Sequence, residues 1–398
     1  MAKKRNIIVG QSGGPTSVIN SSLAGVYKNA IERGFDKVYG MLHGIQGLLD
    51  EQYIDLSTQI HSELDIELLK RTPSAFLGSC RFKLPEIHED KSIYEKIFDI
   101  LNRLDIYAFI YIGGNDSMDT IKKLSDYAIL TGQTQKFLGV PKTIDNDLAL
   151  TDHTPGFGSA AKYIGASTKE VIRDAQGLTY KKSMITIMEI MGRNAGWLTG
   201  ATALARTEDC DGPDLIYLPE RPFDEEKFLD DVKKLLEKKS GIVVVASEGL
   251  RDKDGKPIVE PIFQVGRATY FGDVSQHLAN LIIKKLGYKA RGEKPGLVGR
   301  AAAHEQSPVD REEAVLAGRM ACEAIMNGES GKMVAFERVS TEPYEMKPFF
   351  VDIDKVMMYE RTMPDEFINE EGNGVTEAFK EWCKPLIGGE LPKMISFN

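Results

Sequence analysis

Short apolar runs alternate with amphipathic stretches over most of this chain, and the alternation leaves few folds open. Residues 6–9 read as a strand and 17–31 as a helix; 37–41, 108–112 and 137–140 are further strands, with helices over 90–104 and 118–128. The series resumes with a helix over 159–174, a strand over 183–190 and a helix over 195–205. Strands over 215–218 and 241–246 flank a helix, 271–286 and 312–326 read as helices, and 332–336 and 349–353 read as strands. Apolar strands joined by helices predict a mainly parallel sheet covered on both faces. Ligands in such sheets gather at the carboxyl ends of the strands.

At 398 residues the chain is long for a single core. The expected class is α/β, with two Rossmann-like lobes, mainly parallel sheets covered by helices, and the active site in the cleft between them. The boundary is expected near 142–154. Residues 1–150 then form a larger lobe, joined by return segments from the C-terminal part. Residues 151–330 form a second lobe, and 331–398 an extension packing back on both.

A net charge of -9 argues against a nucleic-acid partner, because a phosphate backbone wants a basic surface. No run approaches the length needed to cross a bilayer, and the basic opening leads straight into a short strand without a signal peptide. No membrane role is expected. Four scattered cysteines read as free thiols in a reducing compartment, so the expected location is cytoplasmic. The six histidines lack the spacing of a zinc site.

The chemistry concentrates in Val140-Pro141-Lys142-Thr143-Ile144-Asp145-Asn146-Asp147, at the end of the run 137–140. Two carboxylates two residues apart can divide labour, one accepting a proton while the other organises a metal ion. A lysine beside them makes sense where a polyanion must lie close to both. The stretch reads as phosphoryl transfer.

Glycine-rich turns at other strand ends surround it. Gly10-Gln11-Ser12-Gly13-Gly14-Pro15-Thr16-Ser17 is either a tight structural turn or a phosphate cradle, and it matches neither the P-loop nor the dinucleotide fingerprint. Asp116, in Gly113-Gly114-Asn115-Asp116-Ser117, either caps a helix or holds a divalent ion against phosphates. Arg81, in Gly78-Ser79-Cys80-Arg81-Phe82, is a phosphate clamp or a solvated arginine. Gly192, between Met191 and Arg193, lets main chain approach a sugar, while Arg193 pairs with a carboxylate or a phosphate. Glu248 binds sugar hydroxyls or caps a turn. Arg291, in the segment starting at Tyr288, and Arg300 hold an anionic group or lie on the surface.

Taken in order, GGPTS at 13–17, GSCRF at 78–82, GGNDS at 113–117, PKTIDND at 141–147, MGRNAGW at 191–197 and SEG at 247–249 closely resemble the 6-phosphofructokinase family. Within it they resemble the pyrophosphate-dependent branch, over residues 7–328. The resemblance implies reversible, magnesium-dependent transfer of a phosphoryl group from pyrophosphate to the C1 hydroxyl of fructose 6-phosphate. It implies that Gly14, Arg81, Asp116 and Lys142 bind the donor, with Asp116 on Mg2+ and Asp147 helping to arrange it. Asp145 is the implied general base, assisted by Lys142 and Thr143. Thr143, Asp145, Met191, Gly192, Arg193, Glu248, Tyr288, Arg291 and Arg300 are the implied contacts to the sugar phosphate. The first lobe becomes the donor lobe and the second the sugar-phosphate lobe. A homodimer or homotetramer is implied, with a neighbouring subunit completing the sugar-phosphate pocket.

Asp116 and Lys142 stand where ATP-using relatives typically carry glycine, so both favour pyrophosphate. An ATP-dependent enzyme and a non-catalytic sugar-phosphate-binding subunit are the alternatives; the intact run Thr143 to Asp147 opposes the latter. Three positions depart from the family pattern: Asn115 for an aspartate, Leu297 for a histidine, and Met184 for an arginine used across a subunit interface.

Overall fold

The computed structural model describes residues 5–265 and 268–395; the basic opening at 1–4 lies outside them. The strands are β1 (Asn6–Gln11), β2 (Val38–Met41), β3 (Tyr53–Asp55), β4 (Ile106–Gly113), β5 (Lys136–Pro141), β6 (Met184–Ile190), β7 (Leu215–Tyr217), β8 (Gly241–Ser247), β9 (Pro261–Val265), β10 (Ala268–Phe271), β11 (Lys289–Glu293), β12 (Lys332–Thr341) and β13 (Tyr344–Asp352). The chain divides into two compact units. The first is Met1–Ala160 with Arg300–Arg361, and the second is Ala161–Gly299 with Thr362–Asn398.

Among the described residues, the first unit holds a seven-stranded sheet in the order β13-β12-β5-β4-β1-β2-β3. The five inner strands run parallel, and β13 and β3 close the edges antiparallel. The inner strands are apolar on both faces because helices cover both. Ile7, Val9, Ile110 and Val140 enter one buried cluster; Ile8, Phe109, Tyr111 and Phe137 enter the other. Helix Lys91–Arg103 shows the matching logic. Tyr94, Ile97, Phe98 and Leu101 recur at helical spacing and are buried, while Asp90 caps the first turn by accepting from Ser92 N–H at 3.1 Å.

The segment 300–330, expected in the second lobe, folds with the first unit. Helix Pro308–Met326 crosses helix Ile19–Glu32 at two glycines: a Cβ on Gly25 would strike the Val315 carbonyl, and one on Gly318 the Ser22 carbonyl. Strand β12, placed by sequence in a C-terminal extension, pairs with β5 and so belongs to the same sheet.

The second unit contains a parallel sheet in the order β11-β6-β8-β7. Its core gathers Ile185, Ile187, Ile242, Val244 and Leu278. Two sequence expectations are revised here. Phe271 ends β10 of a short hairpin, so the expected helix begins only at Val274. The helix expected over 195–205 is one α-turn, Trp197–Ala201, followed by a 3-10 turn, Thr202–Ala205. The short strand β11 carries few apolar residues and had no periodic signal.

Candidate active site

In the first unit the chain steps one way from β1 to β2 and the other way to β4 and β5. Strand order therefore reverses beside β1, and the loops after β1 and β4 part at their carboxyl ends, the place where open α/β sheets bind ligands. A cavity of about 240 Å³ opens there, lined by Ser12, Gly14, Arg81, Asp116, Ser117 and Thr120 among others.

The glycine loop after β1 is held from both sides. Ser12 N–H donates to the Ile112 carbonyl at 3.0 Å and Gly13 N–H to the Cys80 carbonyl at 3.1 Å. Those two amides are spent within the fold, so the loop is in part a structural turn. The Ser79 hydroxyl donates to the Gly13 carbonyl at 2.6 Å, and the Ser12 and Ser117 hydroxyls share a short hydrogen bond. Gly13 adopts φ +75°, which favours glycine, and a Cβ there would sit 3.3 Å from the Lys142 amine.

Helix Asn115–Thr131 starts with no side-chain cap, its N-cap being Gly114. Asp116 is thus not a cap. It lies exposed in the first turn, at the rim of the cavity.

Lys142 leaves β5 with its amide donating to the Gly113 carbonyl at 3.0 Å, which extends the ladder by one residue. Its side chain is only 2% exposed, and its ammonium donates to the Gly14 carbonyl at 2.6 Å. Burial pulls its pKa down to about 8; the carboxylates of Asp145 and Asp147 oppose that, and the charges of Arg300 and Arg81 add to it. Arg300 also approaches the glycine loop, since a Cβ on Gly14 would lie 3.5 Å from its guanidinium. Lys142, Arg81 and Arg300 thus place positive charge around one glycine turn.

Beyond Lys142 the loop is pinned by its own return segment. Thr143 N–H donates to the Pro155 carbonyl at 3.2 Å, and Thr154 Oγ1 donates back to the Thr143 carbonyl at 2.9 Å. Asn146 sits at φ 55°, where an asparagine is tolerated, and its buried side-chain oxygen accepts from Thr154 N–H at 3.0 Å. Asp145 N–H donates to Thr143 Oγ1 at 3.1 Å, and that hydroxyl's own proton goes to the Asp147 carboxylate. Burial raises the pKa of Asp147, whose Oδ2 accepts from the Asn115 side-chain amide at 3.1 Å. That Asn115–Asp147 link was not foreseen: the sequence marked Asn115 only as a departure from an aspartate.

Among the described residues, no group of three or more histidine, cysteine, aspartate or glutamate side chains forms a ready metal cage. Asp116 and Asp147 supply carboxylate oxygens, the donor type that a hard divalent cation takes.

The second unit groups part of the expected sugar-phosphate set. Ile190 and Ser247 lie in register at the carboxyl ends of β6 and β8. Glu248 Oε1 accepts from Gly192 N–H at 3.2 Å and lies 3.9 Å from Arg193 Nε. The Ser247 hydroxyl donates to the Gly192 carbonyl at 2.7 Å. Gly192 has φ 124°, and a Cβ there would meet the Ala195 carbonyl at 2.6 Å, so glycine is required. Met191 is half-buried beside it and Arg193 is exposed. Tyr288 and Arg291 are not brought to this cluster. Strand β11 pairs Arg291 with Thr186, four residues before Ile190 in β6 (190 − 186), and Arg291 lies 3.7 Å from Asp174 and 3.6 Å from Glu293. Tyr288 is 41% exposed, just before the strand.

The pattern described as Phosphofructokinase matches residues 6–326. The chain is 40% identical over 393 residues to the pyrophosphate--fructose 6-phosphate 1-phosphotransferase of Xanthomonas campestris pv. campestris (strain B100), covering 97% of this chain and 92% of that one. It is 35% identical over 391 residues to the sulfofructose kinase of Alkalicoccus urumqiensis, covering 97% and 96%. The crystal structure of pyrophosphate-dependent phosphofructokinase from Nitrosospira multiformis superposes with a TM-score of 0.88 at 36% identity, covering 98% of this chain and 94% of that one.

Proposed function

Because this chain belongs to the phosphofructokinase family, we propose that it transfers a phosphoryl group reversibly from pyrophosphate to the C1 hydroxyl of D-fructose 6-phosphate, giving D-fructose 1,6-bisphosphate and phosphate. The observation that carries the choice of donor is the buried Lys142 ammonium under the Gly13–Gly14 turn, with the Asp116 carboxylate at the rim. A small polyanion gains from the lysine. A nucleotide would have to pass a carboxylate of like charge. The cavity, about 240 Å³, also falls below the ~300–1,000 Å³ usual for drug-sized ligands.

Asp145 accepts the C1 hydroxyl proton in the forward direction and returns it in reverse. Phosphoryl transfer leaves the protein little covalent work, so positioning and charge dominate. Lys142, Arg81 and Arg300 balance charge that spreads over the transferring group and the departing phosphate. The Thr143 hydroxyl accepts from Asp145 N–H and bonds the Asp147 carboxylate, an acceptor that a phosphoryl oxygen replaces when the donor binds. Asp116 and Asp147 would hold a magnesium ion, which when bound supplies further neutralisation across the donor phosphates. Met191, Gly192, Arg193 and Glu248 bind fructose 6-phosphate, with Tyr288 and Arg291 directed to its phosphate; Arg300, expected there too, stands instead beside the Gly14 turn. The protein works as a homodimer or homotetramer. The distance of Arg291 from Glu248 along the sheet supports a sugar-phosphate pocket completed by a neighbouring copy. A cytoplasmic location fits four free, buried cysteines among the described residues, where no helix is long and apolar enough to cross a membrane.

The deciding experiment is an aldolase-coupled assay with magnesium and fructose 6-phosphate, run with pyrophosphate or ATP. Turnover with pyrophosphate far above that with ATP is expected. Strong ATP turnover without pyrophosphate turnover overturns the reading. Running sulfofructose as the acceptor in parallel tests whether a sulfonated sugar displaces the phosphate ester as preferred substrate.

A further inference from the structure

We infer that Asp310, far from the reacting groups in sequence, is a positioning residue for the Thr143–Asp145 loop and acts through the return segment 154–159. The inference rests on the phosphoryl-transfer reading of that loop. Asp310 lies in the first turn of helix Pro308–Met326 and is 1% exposed. Its carboxylate accepts from Gly156 N–H at 2.8 Å, Ser159 N–H at 2.9 Å and the Ser159 hydroxyl at 2.5 Å. The Ser159 oxygen in turn accepts from Ser307 N–H at 3.0 Å. A buried carboxylate is costly unless its oxygens are satisfied, and here the satisfying groups all belong to the segment that returns from the catalytic loop.

That segment is what fixes Thr143. Thr143 pairs with Gly156 in a parallel bridge, its N–H is bound by Pro155 and its carbonyl by Thr154. Thr143 Oγ1 then holds Asp145 N–H. Asp310 thus reaches the proposed base through the return segment: it holds Gly156 N–H, the adjoining Pro155 carbonyl and Thr154 hydroxyl hold Thr143, and Thr143 Oγ1 holds Asp145 N–H. One turn further along the same helix, Glu313 Oε2 lies 2.6 Å from His153 Nε2 and gives the return segment a second attachment. The helix braces the loop at two points, with Asp310 closer to Thr143 in the bonding sequence. Asp310 also caps helix Phe157–Gly177, so a loss of stability alone does not establish positioning.

The test is Asp310→Asn. The amide keeps one acceptor oxygen but turns an NH2 group towards donors. Misplacing reacting groups by an ångström can cost about 10²-fold, and a kcat loss of roughly 10- to 100-fold is expected with KM for both substrates changed less than about threefold. In an Asp145→Asn background the same change should alter the residual rate by less than about twofold, because the base it positions is gone. Hydrogen exchange at the Thr143 and Asp145 amides should accelerate at least about tenfold in the substrate-free variant. An unchanged kcat with unchanged exchange, or a full kcat loss in both backgrounds, overturns the inference. If wild type turns over neither donor, the functional reading fails while the exchange measurement still decides positioning. Should Asp310→Asn not fold, Ser159→Ala removes a single hydroxyl and takes over the same readouts: faster exchange at Thr143 with lower kcat supports the inference, and no change in either rejects it.

Discussion

The ammonium of Lys142 lies 2.6 Å from the carbonyl oxygen of Gly14 and joins the end of β5 to the turn after β1 across 128 residues of sequence. The contact crosses the place where strand order reverses. It fixes a titratable charge in a buried position, with its pKa drawn to about 8 mainly by burial. The lysine is charged below that value and neutral above it. For the free enzyme, kcat/KM for pyrophosphate should therefore fall as pH rises through about 8, with the slope of a single proton. Lys142→Arg keeps the charge at all accessible pH values and should remove that alkaline limb, even if its turnover is lower. A wild-type profile flat to pH 9.5, measured at fixed free magnesium, would count against a donor-facing ammonium.

Asp145→Asn tests the proposed base. The amide preserves shape and the Thr143 hydrogen bond to the main chain but cannot accept the proton. General-base catalysis is worth roughly 10²- to 10⁴-fold, so kcat should fall by at least that lower figure. Calorimetric binding of fructose 6-phosphate should stay within a few-fold of wild type. Near-normal turnover in the folded variant would remove Asp145 from the role.

Much of the parallel architecture was legible because buried parallel strands are short apolar runs, as at β4 and β8, and their helices carry period-3.6 faces. The strand-end positions of the glycine turns and carboxylates were legible because both follow the apolar runs directly. Pairing at long range was not. The return of β12 to β5 and the seating of helix Pro308–Met326 on helix Ile19–Glu32 depend on tertiary contacts with no local signature. Asp310 reads in sequence as an ordinary first-turn acid after a Ser-Pro start; only the fold reveals that it faces Gly156 and Ser159. Likewise the main-chain donors of a glycine turn look available in sequence, whereas Ser12 and Gly13 spend theirs within the fold.

His153 predicts an alkaline loss of stability. It is 1% exposed, stacked on Phe336, with Nδ1 at 2.9 Å from Asp152 and Nε2 at 2.6 Å from Glu313. Arg338 also binds Asp152, and Tyr344 donates to Glu313 at 2.6 Å. Burial disfavours the imidazolium, but the two carboxylates outweigh it and raise the pKa to about 9. A histidine pKa raised by folding gives stability that is complete below the unfolded value, near 6.5, and is lost as pH rises through about 9. The difference corresponds to on the order of 3 kcal/mol. The denaturant midpoint should decline between pH 6.5 and 9.5, and His153→Gln should flatten that decline while lowering stability at pH 6.5. Equal slopes in the two proteins would assign the alkaline loss to other groups.

Lys142 and Asp116 should act together as a donor filter. Lys142 brings positive charge beneath the glycine turn, and Asp116 brings negative charge and bulk to the rim of the same cavity. Lys142→Gly removes the charge that favours a compact polyanion. Loss of one well-placed electrostatic contact is typically worth about 10²- to 10³-fold in rate, and kcat/KM for pyrophosphate should drop by that order while ATP use changes little. Asp116→Gly alone opens room and removes repulsion but also removes a proposed magnesium ligand, so its gain with ATP should be small. In the double variant a nucleotide meets neither the carboxylate nor a lysine tuned to pyrophosphate, and the ratio of ATP to pyrophosphate kcat/KM should rise above that of either single variant. The two changes should be non-additive, since both act on the charge and space offered to one set of phosphates. The measurement is kcat/KM with both donors for wild type, both singles and the double, at fixed free magnesium. Four folded proteins with the same donor ratio would defeat the filter, and selectivity would then have to come from the walls of the cavity, beginning with Arg81 and Phe82.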